Sequence, residues 1–428
     1  MPKVSALVVG AGLAGLSAAY SLASQGIDTL VVERGDYPGS KTITGGRLYF
    51  HPVKDFFPEL WKQAPWERHV VKETLTIADK DASMSIDFTN QAYNKEPYHS
   101  YTVLAAKFNR WFAQQVVAKG CKVISKYKVD DLIIEDGKVK GVIVNGAKIE
   151  ADVVIAADGI MSQLAEKAGL RTKFHAHDYA VGTKEVIEIG AKAVEDRFSV
   201  AGDEGASRLF MGHLTRGMLG GGFIYTNKES ISVGIVLGIE DLAKVQPTVT
   251  PLELLEEFKS RPEIAPLVRG GESVEYSAHV LSESGLKGVP KLFTNGMIVT
   301  GDAAGLTMNL GITVRGMDYA IASGALAAKA VAIAKAQNDF SATTLARYQD
   351  FLKESFVLKD FETFKKAPEV FHNKNIFVEY PKLACNLFGS LMTIDAGPKA
   401  KLSSTAIKQI MKAKKFRLLK DVFGMRRI

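Results

Sequence analysis

Residues 4–33 read VSALVVGAGLAGLSAAYSLASQGIDTLVVE, and their order decides the fold. Residues 4–9 are a short apolar strand. Gly10, Gly12 and Gly15 follow at the spacing GxGxxG, then small and apolar residues at helical spacing from Leu16 to Ser24, with Gly26 as a stop signal. Thr29 to Val32 is a second strand, with Glu33 at its end. Strand, glycine turn, helix, strand and acid in this order form a dinucleotide-binding βαβ unit. Gly10 permits the tight turn, Gly12 lets backbone approach a pyrophosphate, and Gly15 lets the helix pack on the strand. The helix N-terminus offers free N–H groups and a positive dipole end to phosphates. Glu33 can accept hydrogen bonds from ribose hydroxyls, and its charge disfavours a 2′-phosphate. FAD or NAD is therefore expected rather than NADP.

Working outward, Lys41 to Tyr49 (KTITGGRLY) sets Gly45 and Gly46 beside hydroxyls and cations. It is either a polar loop or a segment that approaches a flat ring or phosphate. Phe56, Phe57, Trp61 and Trp66 cluster next, as core or as a partly exposed lipid-touching group. Residues 103–119 are expected as a helix with Phe108, Trp111, Phe112 and Val116 on one face. Residues 121–149 read as a β-meander with turns at Asp136-Gly137 and Asn145-Gly146. Ala151 to Ala156 is a further strand ending in Ala157, Asp158 and Gly159, with a helix from Ser162. Such a turn marks the carboxyl edge of a parallel sheet, where ligands bind.

Residues 170–290 change character. Strand-like runs dominate at Tyr179–Glu188, Phe223–Thr226 and Ser230–Leu237, with one helix at Leu252–Lys259. Met297 to Thr300 then returns as a strand, followed by Gly301, Asp302 and a small-residue helix from Gly316 to Lys335. Asp302 can bind a ribityl hydroxyl or act as a turn acid. N–H groups opening a helix near Gly311, Ile312 and Thr313 can face a flavin carbonyl. The expected architecture is α/β: a Rossmann-like domain (1–169 and 291–345), an inserted mostly antiparallel β-sheet domain on the substrate side (170–290), and a helical C-terminal region (346–428).

The 428 residues are 46% hydrophobic and 24% charged, which excludes wholesale disorder. The two cysteines, Cys121 and Cys385, cannot supply a four-cysteine zinc site or iron–sulfur cluster. The start lacks a signal-peptide pattern, and no stretch of about 18 residues is both apolar and uncharged. These features lead to the expectation of a reduced, cytoplasmic protein. Residues 399–428 hold ten Lys/Arg and one acid, so the net charge of +7 resides in the tail and the rest is near neutral. That distribution argues against nucleic-acid binding. Ile407, Met411, Leu418 and Val422 recur near helical spacing in this tail. The segment suits an anionic membrane surface, a docked helix with a solvated charged face, or an acidic partner. His175 and His177 alternate as on a strand and read as a solvated pair. His279 either lines the cofactor or is structural. No general acid or base, no metal site and no second GxGxxG are evident.

The three motifs, Gly10–Gly15 with Glu33, Ala157–Gly159, and Gly301–Asp302 with Gly311, resemble flavoproteins built like glutathione reductase and p-hydroxybenzoate hydroxylase. KTITGGRLY, GGGFIYTNK (220–228), YSAHV (276–280) and GDAAGLTMNLGITVRGMD (301–318) narrow the resemblance to FixC-type electron-transfer-flavoprotein:quinone oxidoreductases. It covers nearly the whole chain. The resemblance implies FAD held by Gly10, Gly12, Leu13, Ala14, Gly15, Glu33, Arg34, Lys41, Thr44, Gly45, Gly46, Val129, Ala157, Asp158, Gly159, Gly301, Asp302, Gly311, Ile312 and Thr313. It further implies a two-subunit electron-transfer flavoprotein as donor, a quinone as acceptor, a separate ferredoxin-like subunit, and attachment to the inner face of the cell membrane. One position departs: Ala105 stands where the family usually has an FAD-contacting arginine, with Lys107 and Arg110 as candidate substitutes. A geranylgeranyl reductase-like enzyme saturating prenyl double bonds, a flavin hydroxylase, and a non-catalytic FAD-bound electron carrier are the alternatives.

Overall fold

The computed structural model describes residues 3–41, 46–172, 174–412 and 421. The chain divides into two compact units. One comprises residues 1–69, 96–178 and 279–365; the other comprises 70–95, 179–278 and 366–428. The division differs from the expected segments: residues 70–95 join the second unit together with the C-terminal segment from 366, whereas residues 170–178, 279–290 and 346–365 belong to the first.

The first unit is built on a parallel sheet in the order Lys122–Ile124, Thr29–Val32, Val4–Val9, Ala147–Ala156 and Met297–Val299, closed by the antiparallel Phe293–Thr294. Val8 lies between Val31 and Ile155, and Ala156 beside Val299. All five are almost wholly buried. A sheet covered on both faces needs such continuous apolar runs, which is why these strands are legible as strands. The Leu13–Ala23 helix packs on the Met317–Gln337 helix at near-backbone distance. A Cβ on Gly324 would stand 2.1 Å from the Ala14 carbonyl oxygen, and Ser17 Oγ donates to the Ile321 carbonyl at 2.6 Å. Met317–Gln337 has the length and hydropathy of a membrane span, but 83% of that stretch is buried inside the protein. It is a core helix.

The meander turns fall where expected, with Asp136-Gly137 and Asn145-Gly146 in left-handed backbone suited to tight hairpins. Two expectations are corrected. Residues 122–124 pair parallel with Thr29–Val32 in the main sheet and stand outside the meander, which starts at Val129. Residues 147–156 form a single strand, whose first half pairs antiparallel with Lys138–Val144 and whose second half pairs parallel with Val4–Val9. The expected helix over 103–119 spans Ala105–Ala118. Phe57 and Trp61 are buried beside Phe108 and Phe112, so the aromatic cluster belongs to the core.

The second unit carries antiparallel strands Tyr179–Glu188, Ser230–Gly238, Gly220–Thr226 and Glu204–Gly212, paired in that order. The Pro251–Ser260 helix, opened by a Thr250–Glu253 capping box, covers one face with Leu254, Leu255 and Phe258. Gly222 is required there, because a Cβ would meet the Phe258 ring at 2.6 Å. Helices Glu379–Met392 and Leu402–Lys412 complete this unit as described. His175 and His177 lie in a loop and a short 3-10 turn rather than a strand, with their rings 5.7 Å apart.

Candidate flavin site

The glycine turn after Val4–Val9 is set by backbone clashes. Gly10 has φ +103°, and a Cβ there would lie 2.2 Å from the Ala157 carbonyl oxygen. A Cβ on Gly15 would lie 2.0 Å from the Gly10 carbonyl oxygen. Gly12 is the opposite case: it caps the Leu13–Ala23 helix, and a Cβ would meet nothing within 4 Å. Its open side lies where the first-turn N–H groups of the helix are exposed to a phosphate. Leu13 and Ala14, in the first turn of this helix, are buried.

Glu33 is 7% exposed. Its Oε2 accepts the Ala11 N–H at 2.8 Å and its Oε1 accepts the Gly35 N–H at 2.6 Å. The carboxylate thus fixes the glycine turn and keeps further lone pairs for hydroxyl donors. Residues 126–129 are drawn to the same place, because the Lys126 and Tyr127 N–H groups donate to the Gly35 and Glu33 carbonyls. Val129 is half-buried against the core. Arg34 and Lys41 are exposed, and Gly46 is buried, accepting the Val103 N–H at 3.0 Å. Thr44 and Gly45 lie outside the described residues.

Replacing Glu33 with Gln turns an amide donor toward a backbone donor and leaves one N–H unpaired. A buried group so orphaned costs about 1–3 kcal/mol. Glu33→Gln is therefore expected to weaken FAD binding about tenfold to a hundredfold, read by fluorescence titration of the apoprotein.

The other two motifs meet the first at the carboxyl edge of the sheet. The Ala157 N–H donates to the Val9 carbonyl, and the Thr300 N–H to the Ala156 carbonyl. The Asp158 carboxylate is turned to local duty, accepting from Ser162 Oγ at 2.7 Å, and burial pushes its carboxyl up. Gly159 has φ +84° with open space where a Cβ would stand. Gly301 has φ +65° and donates to Ser323 Oγ at 3.1 Å. The Asp302 side chain is 23% exposed and faces His279 Nε2 at 3.8 Å, while that nitrogen has no hydrogen-bond partner among the described residues. His279 thus stands beside Asp302.

The expectation for Gly311 is corrected. The helix begins at Met317, after the Gly316 cap. Gly311, Ile312 and Thr313 form the tip of a hairpin between Met308–Asn309 and Val314–Arg315. The Gly311 N–H is taken by Asn309 Oδ1 at 2.9 Å and the Ile312 N–H by the Leu310 carbonyl. A side-chain-capped hairpin, rather than a helix N-terminus, presents this loop.

Two contributors escaped the sequence reading. Arg171 donates to the Ile160 carbonyl at 2.5 Å and to the Ala303 carbonyl at 2.8 Å, stapling the second motif to the third. Nothing local in the sequence marks it. Arg315 lies within the third motif, pairs with Asp318 and Asp360, and rests 4.3 Å from the Tyr319 ring centroid. At the departure noted above, Ala105 is buried. Lys107 is bound to Glu67 at 2.8 Å and Arg110 lies on the Tyr37 ring at 4.1 Å, so both candidate substitutes are already engaged.

An open glycine side at a helix N-terminus, a fixed carboxylate at the end of the second strand, and a partly exposed acid at the end of the last fit the pyrophosphate, ribose and ribityl groups of FAD. These features define an FAD-dependent flavoprotein of the α/β class. Residues 3–200 match the FAD binding domain family, residues 179–281 the ETF-QO ubiquinone-binding family, and residues 367–428 the ETF-QO/FixC family C-terminal domain. The chain is 42% identical to a probable electron transfer flavoprotein-quinone oxidoreductase, YdiS, of Escherichia coli, covering 98% of this chain and 97% of that protein. It is 37% identical to FixC of Azorhizobium caulinodans, covering 99% and 98%. Among solved structures, a geranylgeranyl bacteriochlorophyll reductase-like protein of Thermoplasma acidophilum aligns with TM-score 0.74 at 20% identity, covering 99% of this chain and 100% of that one, a likeness of fold. The chain belongs to the ETF-QO/FixC family, and its cofactor is FAD.

Proposed function

We propose that FAD held by the Gly10–Gly15 turn, Glu33, the Ala157–Gly159 turn, Asp302 and the Gly311–Thr313 loop relays electrons from a two-subunit electron-transfer flavoprotein to a membrane quinone. The observation that carries this reading is the division of labour along the chain. The flavin motifs all fall in one unit, and the segment matching the ETF-QO ubiquinone-binding family falls in the other over residues 179–278, with only its last three residues, His279 among them, in the flavin unit. FAD supplies the redox chemistry, and the protein supplies position and electrostatics. Gly12 and the helix N-terminus would receive the pyrophosphate, Glu33 the ribose, and Asp302 with His279 the far end of the cofactor.

Two finer parts complete the proposal. A separate ferredoxin-like subunit would carry any iron–sulfur centre, since Cys121 and Cys385 are both buried and unpaired with one another. The C-terminal helix would rest on the inner face of the cell membrane. Leu402, Ile407 and Met411 are exposed there beside exposed Lys399, Lys401 and Lys408. Leu418 and Val422 lie outside the described residues. Apolar burial adds to about 1 kcal/mol per well-placed basic residue on an anionic surface.

Stopped-flow mixing tests the relay. Reduction of the bound FAD by electron-transfer flavoprotein and reoxidation by a soluble quinone analogue is expected; rapid reduction by NADPH with a saturated or hydroxylated product contradicts it. Removal of residues 399–428 is expected to lower sedimentation with anionic vesicles at least about tenfold at low salt. Unchanged sedimentation overturns the membrane role.

A further inference from the structure

Lys184 is the one buried lysine among the described residues, at 4% exposure. It lies on Tyr179–Glu188, and neighbouring side chains on this strand point to opposite faces. Glu185 points to the face covered by the Pro251–Ser260 helix and pairs with Lys259 at 2.8 Å. Lys184 points to the other face. Its partner among the described residues is Glu275 Oε1 at 3.4 Å, a carboxylate 38% exposed. An ammonium has three donors, and burial without matching acceptors is costly. Burial accordingly pushes the Lys184 ammonium down, and Glu275 only partly opposes this.

The strand register shows what lies beside it. Lys184 is paired with Gly234, and Gly234 with Phe223. Gly234 has no side chain, and the Phe223 ring covers the gap: a Cβ on Gly234 would stand 2.3 Å from Phe223 Cζ. Phe223 stacks on Tyr225, with centroids 5.1 Å apart and planes 25° apart. Both rings are half-buried. One face of this sheet thus places an under-coordinated cation beside a stacked aromatic pair, within the segment matching the ubiquinone-binding family.

We propose that Lys184 donates a hydrogen bond to a carbonyl oxygen of the quinone ring, which packs against the stacked Phe223–Tyr225 pair. The inference rests on the quinone-acceptor reading above. A quinone is planar and apolar, with carbonyl acceptors at its edge, and it gains negative charge on those oxygens as it is reduced. A fixed cation there favours the reduced ring more than the oxidised one. Glu275 keeps the ammonium charged and aimed when the ring is absent.

The test compares wild type with Lys184→Met, Lys184→Arg and Phe223→Leu as FAD-loaded full-length chains. A soluble short-chain ubiquinone analogue is the acceptor, and ferricyanide is the control. A hydrogen bond to a charged donor corresponds to about a tenfold to hundredfold effect. Lys184→Met is expected to raise the quinone KM and lower kcat/KM about tenfold or more. FAD content, reduction by the donor and ferricyanide reoxidation should stay at wild-type values. Lys184→Arg should restore part of the loss. A quinone kcat/KM within twofold of wild type in Lys184→Met overturns the proposal. If Lys184→Met does not fold, Phe223→Leu decides: a severalfold rise in quinone KM supports packing of the quinone against the aromatic pair, and an unchanged KM overturns the proposal. A wild-type protein that reoxidises with ferricyanide but with no quinone overturns the acceptor reading itself, and this inference with it.

Discussion

Gly12→Asp is expected to give a folded protein that holds no FAD, whereas Gly15→Val is expected to give no folded protein. The two glycines stand three residues apart in one motif, and the difference is geometric. A Cβ on Gly15 would sit 2.0 Å from the Gly10 carbonyl oxygen and 3.1 Å from Val8 Cγ1, so strand and helix must separate. Backbone cannot yield as a flexible side chain does, and the sheet loses its first packed helix. Gly12 has φ −79° and ψ 179°, open to any residue, and a Cβ there meets nothing within 4 Å. Substitutions that meet only open space in this way change stability by about 0.5 kcal/mol or less. The cost of Gly12→Asp falls on the ligand. Two like unit charges about 4 Å apart at a protein surface repel by roughly 4 kcal/mol, enough to weaken FAD binding by two to three orders of magnitude. Thermal unfolding of the apoproteins and flavin content after reconstitution measure the two effects separately. A Gly12→Asp protein that retains one FAD per chain contradicts this account of the motif.

Arg315→Met is expected to destabilise the first unit by about 3–5 kcal/mol, the range for removing one partner of a buried ion pair. Arg315 Nε donates to Asp318 Oδ2 at 2.8 Å and Nη1 to Asp360 Oδ2 at 2.5 Å. The Tyr319 hydroxyl adds a bond to the same Asp360 oxygen at 3.0 Å. Asp318 is 1% exposed, so the substitution strands a carboxylate with no cation. Burial pushes the Asp318 carboxyl up, and Arg315 opposes it; Asp318 and its neighbours hold the Arg315 guanidinium above its ordinary value. Chemical unfolding in urea measures the loss. The double substitution Arg315→Met with Asp318→Leu removes the stranded charge and is expected to recover a large part of the stability. A single variant within about 1 kcal/mol of wild type shows that the pair does not hold the hairpin to the start of the Met317–Gln337 helix.

The parts of this molecule that were readable in the sequence are those whose signals are local. The stretch from Val4 to Glu33 carries strand, turn, helix and strand in consecutive residues, and each neighbour constrains the next. The hairpin turns at Asp136-Gly137 and Asn145-Gly146, the strand Tyr179–Glu188 and the helix after Thr250 were legible for the same reason. Errors arose where a distant segment decides. Residues 147–156 form one strand because Lys138–Val144 pairs with one half and Val4–Val9 with the other, so the apparent break near Ala151 has no counterpart. The Gly311 loop is held by the Asn309 side chain and by pairing of Met308 with Arg315, and small residues nearby imitate a helix start. Arg171 acts through two carbonyls, one of them 132 residues away, and no spacing rule encodes that contact.

The central claim is that three separated segments of the first unit enclose one FAD. Amide hydrogen exchange of the apoprotein and the FAD-loaded protein, compared peptide by peptide, tests it most directly. Slower exchange on FAD binding is expected together at residues 10–15, 157–162 and 301–313, with peptides from 204–238 little changed. Protection confined to one of these segments, or centred on the second unit, contradicts it.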